Sequence, residues 1–178
     1  FASIDASNTS QGYVMVKYNG TNEKVKLRIT CPDQSCYTYL ISDRGAYDTF
    51  PLTAGNGSYA LQVLENVAGD TYTVSLAQSI NVSIEDEFLP FPYPNQYVNF
   101  HTDSKAVSKG CDLAKDTYSD LDVVQNIYNY VIKNISYDTE KAQNVSYGYV
   151  PDIDDTLSSK KGICFDYAAL MTSMLRSQ

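Results

Sequence analysis

The sequence predicts a two-domain α+β protein, with an antiparallel β-sandwich of immunoglobulin-like type in residues 1–87 and a helical domain in residues 101–178. Three observations lead to this prediction. Apolar and polar residues alternate in short runs between residues 11 and 84, and turns rich in Gly, Asn and Asp separate the runs. After His101 the apolar residues recur every three to four positions. Short alternating runs separated by such turns are typical of a sandwich, and a repeat of three to four residues is typical of amphipathic helices.

The β-rich part begins with two alternating runs, "GYVMVKY" at 12–18 and "EKVKLRIT" at 23–30. In the second run Val25, Leu27 and Ile29 alternate with charged residues, which predicts one apolar and one solvated face. The turn "NGTN" between the runs predicts that they form a hairpin. Three more strands are predicted: "CYTYLIS" (36–42), "GSYALQVLEN" (57–66) and "DTYTVSLAQSINVSI" (70–84). One face of the second of these is predicted to carry Tyr59, Leu61 and Val63, and the alternating apolar residues of the third are Tyr72, Val74, Leu76, Ile80, Val82 and Ile84. The turns predicted to separate them are "DRGAYD" (43–48), "AGNG" (54–57) and "VAGD" (67–70).

Residues 88–100, "FLPFPYPNQYVNF", alternate prolines with aromatic residues. Proline has no N–H to donate to a sheet, and it disfavours helix in the residue before it. The segment is therefore predicted to be a stiff connector. Its aromatic side chains are expected to pack on one or both of the neighbouring domains.

Three longer helices are predicted after the connector, the first within residues 102–117 and the second within 119–135. The apolar residues of the second helix are expected to form one buried stripe: Leu121, Val124, Tyr128, Val131 and Ile132. Residues 136–159 are predicted to be mostly loop with a short helical turn. The third helix is predicted from Cys164 to Arg176, just after Gly162.

The formal charge of −8 is spread along the chain, and no basic stripe offsets it. Such a surface repels phosphate, so nucleic acid and anionic membranes are not expected partners. The acidic run "DIDD" at 152–155 lacks the ligand spacing and glycine of an EF-hand loop, so no metal and no cofactor are predicted. The 16 tyrosines and the absence of tryptophan are a compositional hint of a β-rich extracytoplasmic protein.

Cysteines occur at 31, 36, 111 and 164, and three complete pairings are conceivable. Cys31 and Cys36 flank "PDQS" in a predicted hairpin loop, so they are the pair most easily bridged, although the sequence leaves their oxidation state open. Cys111 stands among apolar residues and is interpreted as a small buried hydrophobe.

Cys164 is the candidate nucleophile, because it follows a glycine and opens an apolar helix. A helix N-terminus favours the reactive thiolate through its free N–H groups and its dipole. Gly162 is expected to permit a sharp turn and the approach of a substrate, and Lys160 and Lys161 add positive potential. The same N–H groups suit an oxyanion. The alternative is that Cys164 is a core residue, since it shares one helical face with Ala168, Met171 and Leu175.

The segments "YNYVIKNISYDTEKA" and "DDTLSSKKGICFDYAALMTSMLRSQ" resemble the transglutaminase-like family, in particular its bacterial extracytoplasmic members. The resemblance covers about residues 120–178, so residues 101–178 would be the helical front part of such a domain. It implies a papain-like Cys-His-Asp enzyme in which Cys164 forms a thioester with an amide carbonyl, resolved by water or an amine. It places Gly162, Asp166 and Tyr167 in the motif around the nucleophile, as candidate cleft or oxyanion residues.

The sequence departs from the family at the base, because no histidine follows Cys164 and the sole histidine, His101, lies upstream. His101 is interpreted as a partly exposed residue near a helix start rather than a catalytic one. We therefore expect the chain to be the front portion of a longer protein, inactive by itself. The helix face of Ala168, Met171 and Leu175 would then lack its cover, which predicts self-association.

Three hypotheses follow. The first is a secreted or surface-attached bacterial thiol enzyme, a hydrolase or acyltransferase that acts on proteins or cell-wall peptides. The second is a non-catalytic surface-binding or adhesion protein that keeps the family shape. The third is a structural module in which Cys164 is part of the core.

Asp166 is most simply a favourable charge at the helix start, Tyr167 a packing residue with a solvated hydroxyl, and the tyrosines of "YGYVP" (147–151) either contact substrate or pack on the domain.

Overall fold

The structure is a computed structural model that describes residues 1–41 and 45–178. It separates into two compact units, Phe1–Tyr93 and Pro94–Gln178. The predicted α+β class is confirmed, with antiparallel sheets in the first unit and helices in the second. The end of the predicted strand at 36–42 and the start of the predicted turn at 43–48 lie outside the described residues. No helix of the described ranges is long and apolar enough to cross a membrane.

The strands of the first unit form two antiparallel sheets. In chain order these strands are β1 (Ala2–Asp5), β2 (Tyr13–Tyr18), β3 (Val25–Thr30), β4 (Cys36–Leu40), β5 (Tyr47–Pro51), β6 (Gly57–Ala68) and β7 (Thr71–Val82). One sheet has the order β1-β2-β5, and the other has the order β4-β3-β6-β7. β1 and β5 were not predicted from the sequence.

The alternating apolar residues of both sheets contribute to one hydrophobic core. Its fully buried members include Val14, Val16, Phe50, Leu27, Tyr59, Leu61 and Val63. The predicted faces of β3 and β6 are therefore confirmed. In β7, Ile80 and Val82 are buried but Val74 is 50% exposed, because the half of the β6–β7 hairpin nearest its turn lies largely outside the core.

The predicted hairpin between residues 12–18 and 23–30 is wrong. β2 pairs with β1 and β5, whereas β3 pairs with β4 and β6, so the two strands belong to different sheets. The apolar faces of β2 and β3 meet within the core instead of lying side by side. Alternation determines which face of a strand is buried, but it does not determine which strand lies beside it.

The second unit is mainly helical. Its elements are α1 (Lys105–Ala114), α2 (Asp120–Asn134), β8 (Ser136–Tyr137), α3 (Thr139–Asn144), α4 (Ile153–Ser159), β9 (Lys161–Gly162) and α5 (Cys164–Arg176). The three longer predicted helices correspond to α1, α2 and α5. The segment predicted to be mostly loop contains α3 and α4 instead. Each begins at an aspartate whose side chain accepts backbone N–H bonds, Asp138 for α3 and Asp152 for α4.

α5 is at the centre of this unit and packs against α1, α2 and α4. The core that surrounds it comprises Ala106, Ile127, Val131, Ile135, Ile153, Ala169, Leu170 and Met174. α1 crosses α5 closely at Gly110, where a Cβ atom would lie 2.9 Å from the carbonyl oxygen of Met174. Glycine is therefore the residue that lets these two helices approach.

Two predictions about buried residues are wrong in this unit. In α2, Val131 is buried with Ile127, but the other members of the predicted stripe are exposed: Leu121 79%, Val124 39%, Tyr128 50% and Ile132 48%. α2 has apolar residues on two faces, and only one of them contacts the core. Cys111 is exposed, because Ala106 and Gly110 occupy the buried face of α1.

The predicted connector is divided between the units. In the first unit Leu89 packs on the core, and the ring of Tyr93 lies 4.9 Å from that of Tyr13. In the second unit Phe100 packs on the core, and the ring of Tyr97 lies 5.6 Å from that of Phe165. Aromatic residues of the connector thus pack within both units.

Candidate functional site

A short parallel pairing of β8 with β9 fixes the chain just before Cys164. Lys160 ends α4 in the left-handed conformation (φ 56°), and the chain then enters β9. The N–H of Ser136 donates to the carbonyl oxygen of Lys160 at 2.9 Å, and the N–H of Asp138 donates to that of Gly162 at 2.9 Å. Residues far apart in the sequence thereby set the path of the backbone into α5.

Cys164 is the first residue of α5 and is exposed to solvent. The helix is capped by Ile163, whose carbonyl accepts the N–H of Tyr167 at 3.1 Å. The thiol therefore lies at the amino end of a helix of 13 residues. The face of Ala168 is also exposed, and the buried face of α5 is formed by Asp166, Ala169, Leu170, Ser173 and Met174. The hypothesis that Cys164 is a core residue does not fit this geometry.

Asp166, two residues after the cysteine, is fully buried. Its Oδ2 accepts the N–H of Ile163 at 2.8 Å and lies 2.8 Å from Nζ of Lys141, while its Oδ1 accepts the hydroxyl of Tyr149. Burial opposes ionisation, but the hydrogen bonds from Lys141, Tyr149 and Ile163 outweigh it and lower the pKa of Asp166. The carboxylate is thus a charged, fully hydrogen-bonded part of the first turn of α5.

Lys141 of α3 and Tyr149, both half-buried, complete the cluster around Asp166. Nζ of Lys141 donates to the hydroxyl of Tyr149 at 2.7 Å. Burial disfavours the ammonium form, yet the hydrogen bonds to Asp166 and Tyr149 outweigh burial and raise the pKa of Lys141. Burial, followed by the hydrogen bond to Asp166, raises the pKa of Tyr149. The ring of Tyr149 also meets that of Phe165, edge to face at 6.4 Å.

Gly162 is buried against the side chain of Asp166. A Cβ atom on Gly162 would lie 2.7 Å from Cβ of Asp166 and 3.1 Å from its Oδ2. The structure thus explains why residue 162 is glycine, which the sequence alone did not. It makes room for the aspartate, in addition to any room that it leaves for a substrate.

Tyr167 is half-buried, and its hydroxyl donates to the carbonyl oxygen of Ile135 at 2.6 Å. A solvated hydroxyl was predicted from the sequence. In the structure it forms a hydrogen bond with the backbone at the end of α2. Burial raises the pKa of Tyr167.

His101 lies at the opposite end of α5 from Cys164. It lines a cavity of about 440 Å³ together with Pro94, Phe100, Thr102, Val107 and Ser177. Ser177 directly follows α5, and a helix of this length spans roughly 20 Å at 1.5 Å per residue. His101 is therefore too far from the thiol to take its proton.

The acidic run at 152–155 serves as a set of helix caps. The carboxylate of Asp152 accepts the N–H groups of Asp154 and Asp155 and so begins α4. The carboxylate of Asp154 accepts the N–H groups of Lys105 at 3.0 Å and Ala106 at 2.9 Å, and so caps α1 from a distant part of the chain. Both contacts satisfy N–H groups that a helix start leaves unpaired.

Lys141 was not recognised as a site residue from the sequence, and Tyr149 was noted only as one of two loop tyrosines. The available signal was Asp166 itself. An aspartate in an otherwise apolar helix start that became buried would require a cation. The sequence offered several lysines, and choosing Lys141 among them required the contact between α3 and α5.

Comparison with known proteins identifies a family that matches part of the chain. The family model of the transglutaminase-like superfamily matches residues 106–178, a segment that includes Lys141, Cys164 and Asp166. The C-terminal part of the chain is a transglutaminase-like domain. The resemblance noted in the sequence is thus confirmed, together with its restriction to that part. No curated protein matches the chain. The transglutaminase-like domain indicates the family of papain-like cysteine enzymes.

Proposed function

We propose that the transglutaminase-like domain uses Cys164 as the nucleophile of a hydrolase or acyltransferase acting on amide bonds of proteins or cell-wall peptides. The observation that supports this most is the exposed thiol on the first residue of α5, within the segment that matches the family. Free N–H groups at the helix start favour a thiolate, and the same groups suit the oxyanion of an acyl transfer.

The proposed reaction has two steps. The thiolate of Cys164 attacks the amide carbonyl, a carbon–sulfur bond forms, and the carbon–nitrogen bond breaks as the leaving amine or ammonia takes up a proton. Water or a second amine then attacks the thioester, releases the thiolate and gives a carboxylic acid or a new amide. Both steps need a group that moves a proton next to the sulfur.

The proposed mechanism requires a base that is not among these residues. The chain has one histidine, His101, and it lies beside Ser177 at the far end of α5. Asp166 is bound to Lys141 and Tyr149 and is not free to orient a histidine. We therefore propose that residues 1–178 are inactive alone and that the rest of a longer protein supplies the histidine and its aspartate.

The test compares turnover of a glutaminyl peptide, with hydroxylamine as the acceptor amine, by residues 1–178 and by the proposed longer protein. We expect hydroxamate formation by the longer protein, its loss on Cys164→Ala, and none from residues 1–178. The matched control is Cys111→Ala, because Cys111 is an exposed cysteine on another helix. Turnover that survives Cys164→Ala would exclude the proposed nucleophile.

A non-catalytic binding or adhesion role is the second candidate. It is favoured by the position of His101, which leaves Cys164 without a histidine base among the residues that the structure describes. The same experiment separates the candidates, because a binding protein gives no Cys164-dependent hydroxamate at any length of chain.

Three further proposals concern context. We propose an immunoglobulin-like sandwich for the first unit, supported by its two antiparallel sheets on one core. We propose a bacterial extracytoplasmic location, supported by composition and the family resemblance.

We also propose self-association through the α5 face, where Ala168 is exposed and Met171 and Leu175 are half-buried. Sedimentation of the chain and of Met171→Ser should show an association that the substitution weakens, and a monomer at all concentrations would exclude it.

A further inference from the structure

One short segment, residues 136–141, holds the chain on both sides of Cys164. On the amino side, the N–H of Asp138 donates to the carbonyl oxygen of Gly162 at 2.9 Å. On the carboxyl side, Nζ of Lys141 lies 2.8 Å from Oδ2 of Asp166. Within the segment, Oδ1 of Asp138 accepts the N–H of Lys141 at 2.9 Å. The cysteine is therefore placed between two points that are both fixed by this one segment.

The link through Asp166 leads directly to the residue before the cysteine. Oδ2 of Asp166 has two partners, Nζ of Lys141 and the N–H of Ile163, each at 2.8 Å. The side chain of Asp166 is fully buried, whereas that of Lys141 is 27% exposed. A buried carboxylate that loses its cation becomes protonated or draws in water, and either change alters the bond to Ile163.

We propose that Lys141 is a positioning residue for the thiol of Cys164. Its ammonium group keeps Asp166 ionised and in place, and Asp166 fixes the Ile163 amide and with it the first turn of α5. This inference rests on the proposed use of Cys164 as a nucleophile. Tyr149 supports the same carboxylate from the other oxygen.

The test is the rate at which iodoacetamide alkylates Cys164, measured as a pH profile from about pH 6 to about pH 9. The background carries Cys36→Ser and Cys111→Ser, because those two cysteines are also exposed, while Cys31 is buried. We expect Lys141→Met to slow alkylation by about tenfold and Lys141→Arg to restore it to within about twofold. Circular dichroism reports whether each variant is folded.

Lys161→Met is the matched control, since Lys161 is an exposed lysine three positions before Cys164 and has no contact with Asp166 among those described. We expect Lys161→Met to slow alkylation less than Lys141→Met does, because it removes nearby positive charge but no contact with Asp166. A folded Lys141→Met variant with the parent rate would overturn the proposal. Equal slowing by Lys161→Met would also overturn it, because nearby positive charge would then explain the effect without positioning.

If Lys141→Met does not fold, Lys141→Gln decides the question. This change removes the positive charge beside Asp166 and keeps a side chain that can form hydrogen bonds. Slower alkylation supports the proposal, and an unchanged rate overturns it. Alkylation needs no acyl substrate, so the two proposals can fail separately. If no hydroxamate forms but alkylation still depends on Lys141, the proposed function is excluded and the positioning role of Lys141 stands.

Discussion

Gly162 and Asp166 are packed against each other so closely that a Cβ on the glycine would lie 2.7 Å from Cβ of the aspartate. The aspartate is held by Lys141, Tyr149 and the Ile163 amide, so it cannot move aside. The glycine before Cys164 and the aspartate after it are thus one packing unit around the candidate nucleophile.

Gly162→Ala should destabilise the second unit by about 1–3 kcal/mol, because the added methyl group overlaps a side chain that has no room to relax. Urea unfolding followed by circular dichroism measures the free energy of unfolding. Lys161→Ala is the control in the same strand, where the side chain is exposed and little change is expected. A Gly162→Ala protein as stable as the parent would show that Asp166 can shift.

Asp166→Asn should reduce the dependence of stability on pH in the acid range. The pKa of Asp166 is lowered in the folded protein, so the ionised carboxylate contributes its full stability above the unfolded pKa of about 3.9. This contribution is lost as the pH falls from there through the lower folded pKa. We expect the parent to lose stability over that window more steeply than Asp166→Asn, as measured by unfolding at a series of pH values.

At neutral pH Asp166→Asn should cost about 1–3 kcal/mol, because the neutral amide loses its charged contact with Lys141, whose side chain is 27% exposed and whose ammonium group can be solvated instead. Asp112→Asn is the control for both measurements. Its carboxylate pairs with Lys115 in an exposed contact, for which little effect is expected. Equal acid sensitivity of the parent and Asp166→Asn would contradict the assignment.

Asp154→Ala should lower stability by about 1–2 kcal/mol, because it removes the acceptor of two N–H groups at the start of α1. The adjacent Asp155→Ala provides the comparison, since Asp155 is exposed in the same helix turn. Thermal unfolding of the two variants side by side is sufficient. Similar melting temperatures would mean that the long-range cap contributes nothing.

All four cysteines should titrate as thiols when the protein is unfolded without reductant. Thr30 lies opposite Cys36 in the β3–β4 pairing, and its Oγ1 is 3.3 Å from the sulfur of Cys36. Because side chains alternate along a strand, Cys31 points to the other face, where it is buried. The number of free thiols and the intact mass of the protein are measured. Forming a disulfide removes two hydrogens, so a mass about 2 Da lower, restored by reductant, would show that Cys31 and Cys36 are bridged.

Periodicity predicted the parts of the fold that depend on neighbouring residues. It placed Leu27, Ile29, Tyr59 and Leu61 in the core, and it located α1, α2 and α5. It did not predict which strands pair, because β2 and β3 have equivalent apolar faces and only the assembled core separates them into two sheets. In α2 it selected the wrong face, since both faces are apolar and only the contact with α5 decides between them.

The candidate site was predictable only in its local part. Cys164, Gly162 and Asp166 lie within five consecutive positions, so a motif could reveal them. Lys141 stands 25 positions before Asp166 (166 − 141), and no local pattern joins the two. Their pairing depends on the route of the chain through α3 and β9, which periodicity does not report.

Two contacts hold the backbone around Cys164: Asp138 with Gly162, and Lys141 with Asp166. Each joins a residue before the exposed loop around Val145 and Tyr147 to a residue after it, and neither involves a residue of that loop. Cutting the backbone in that loop would leave both contacts intact. We therefore expect the two polypeptides of a domain cut in that loop to stay associated without a covalent link. One of these would bring the lysine and the other the cysteine, so that complementation of the two fragments would itself reconstitute the thiol environment.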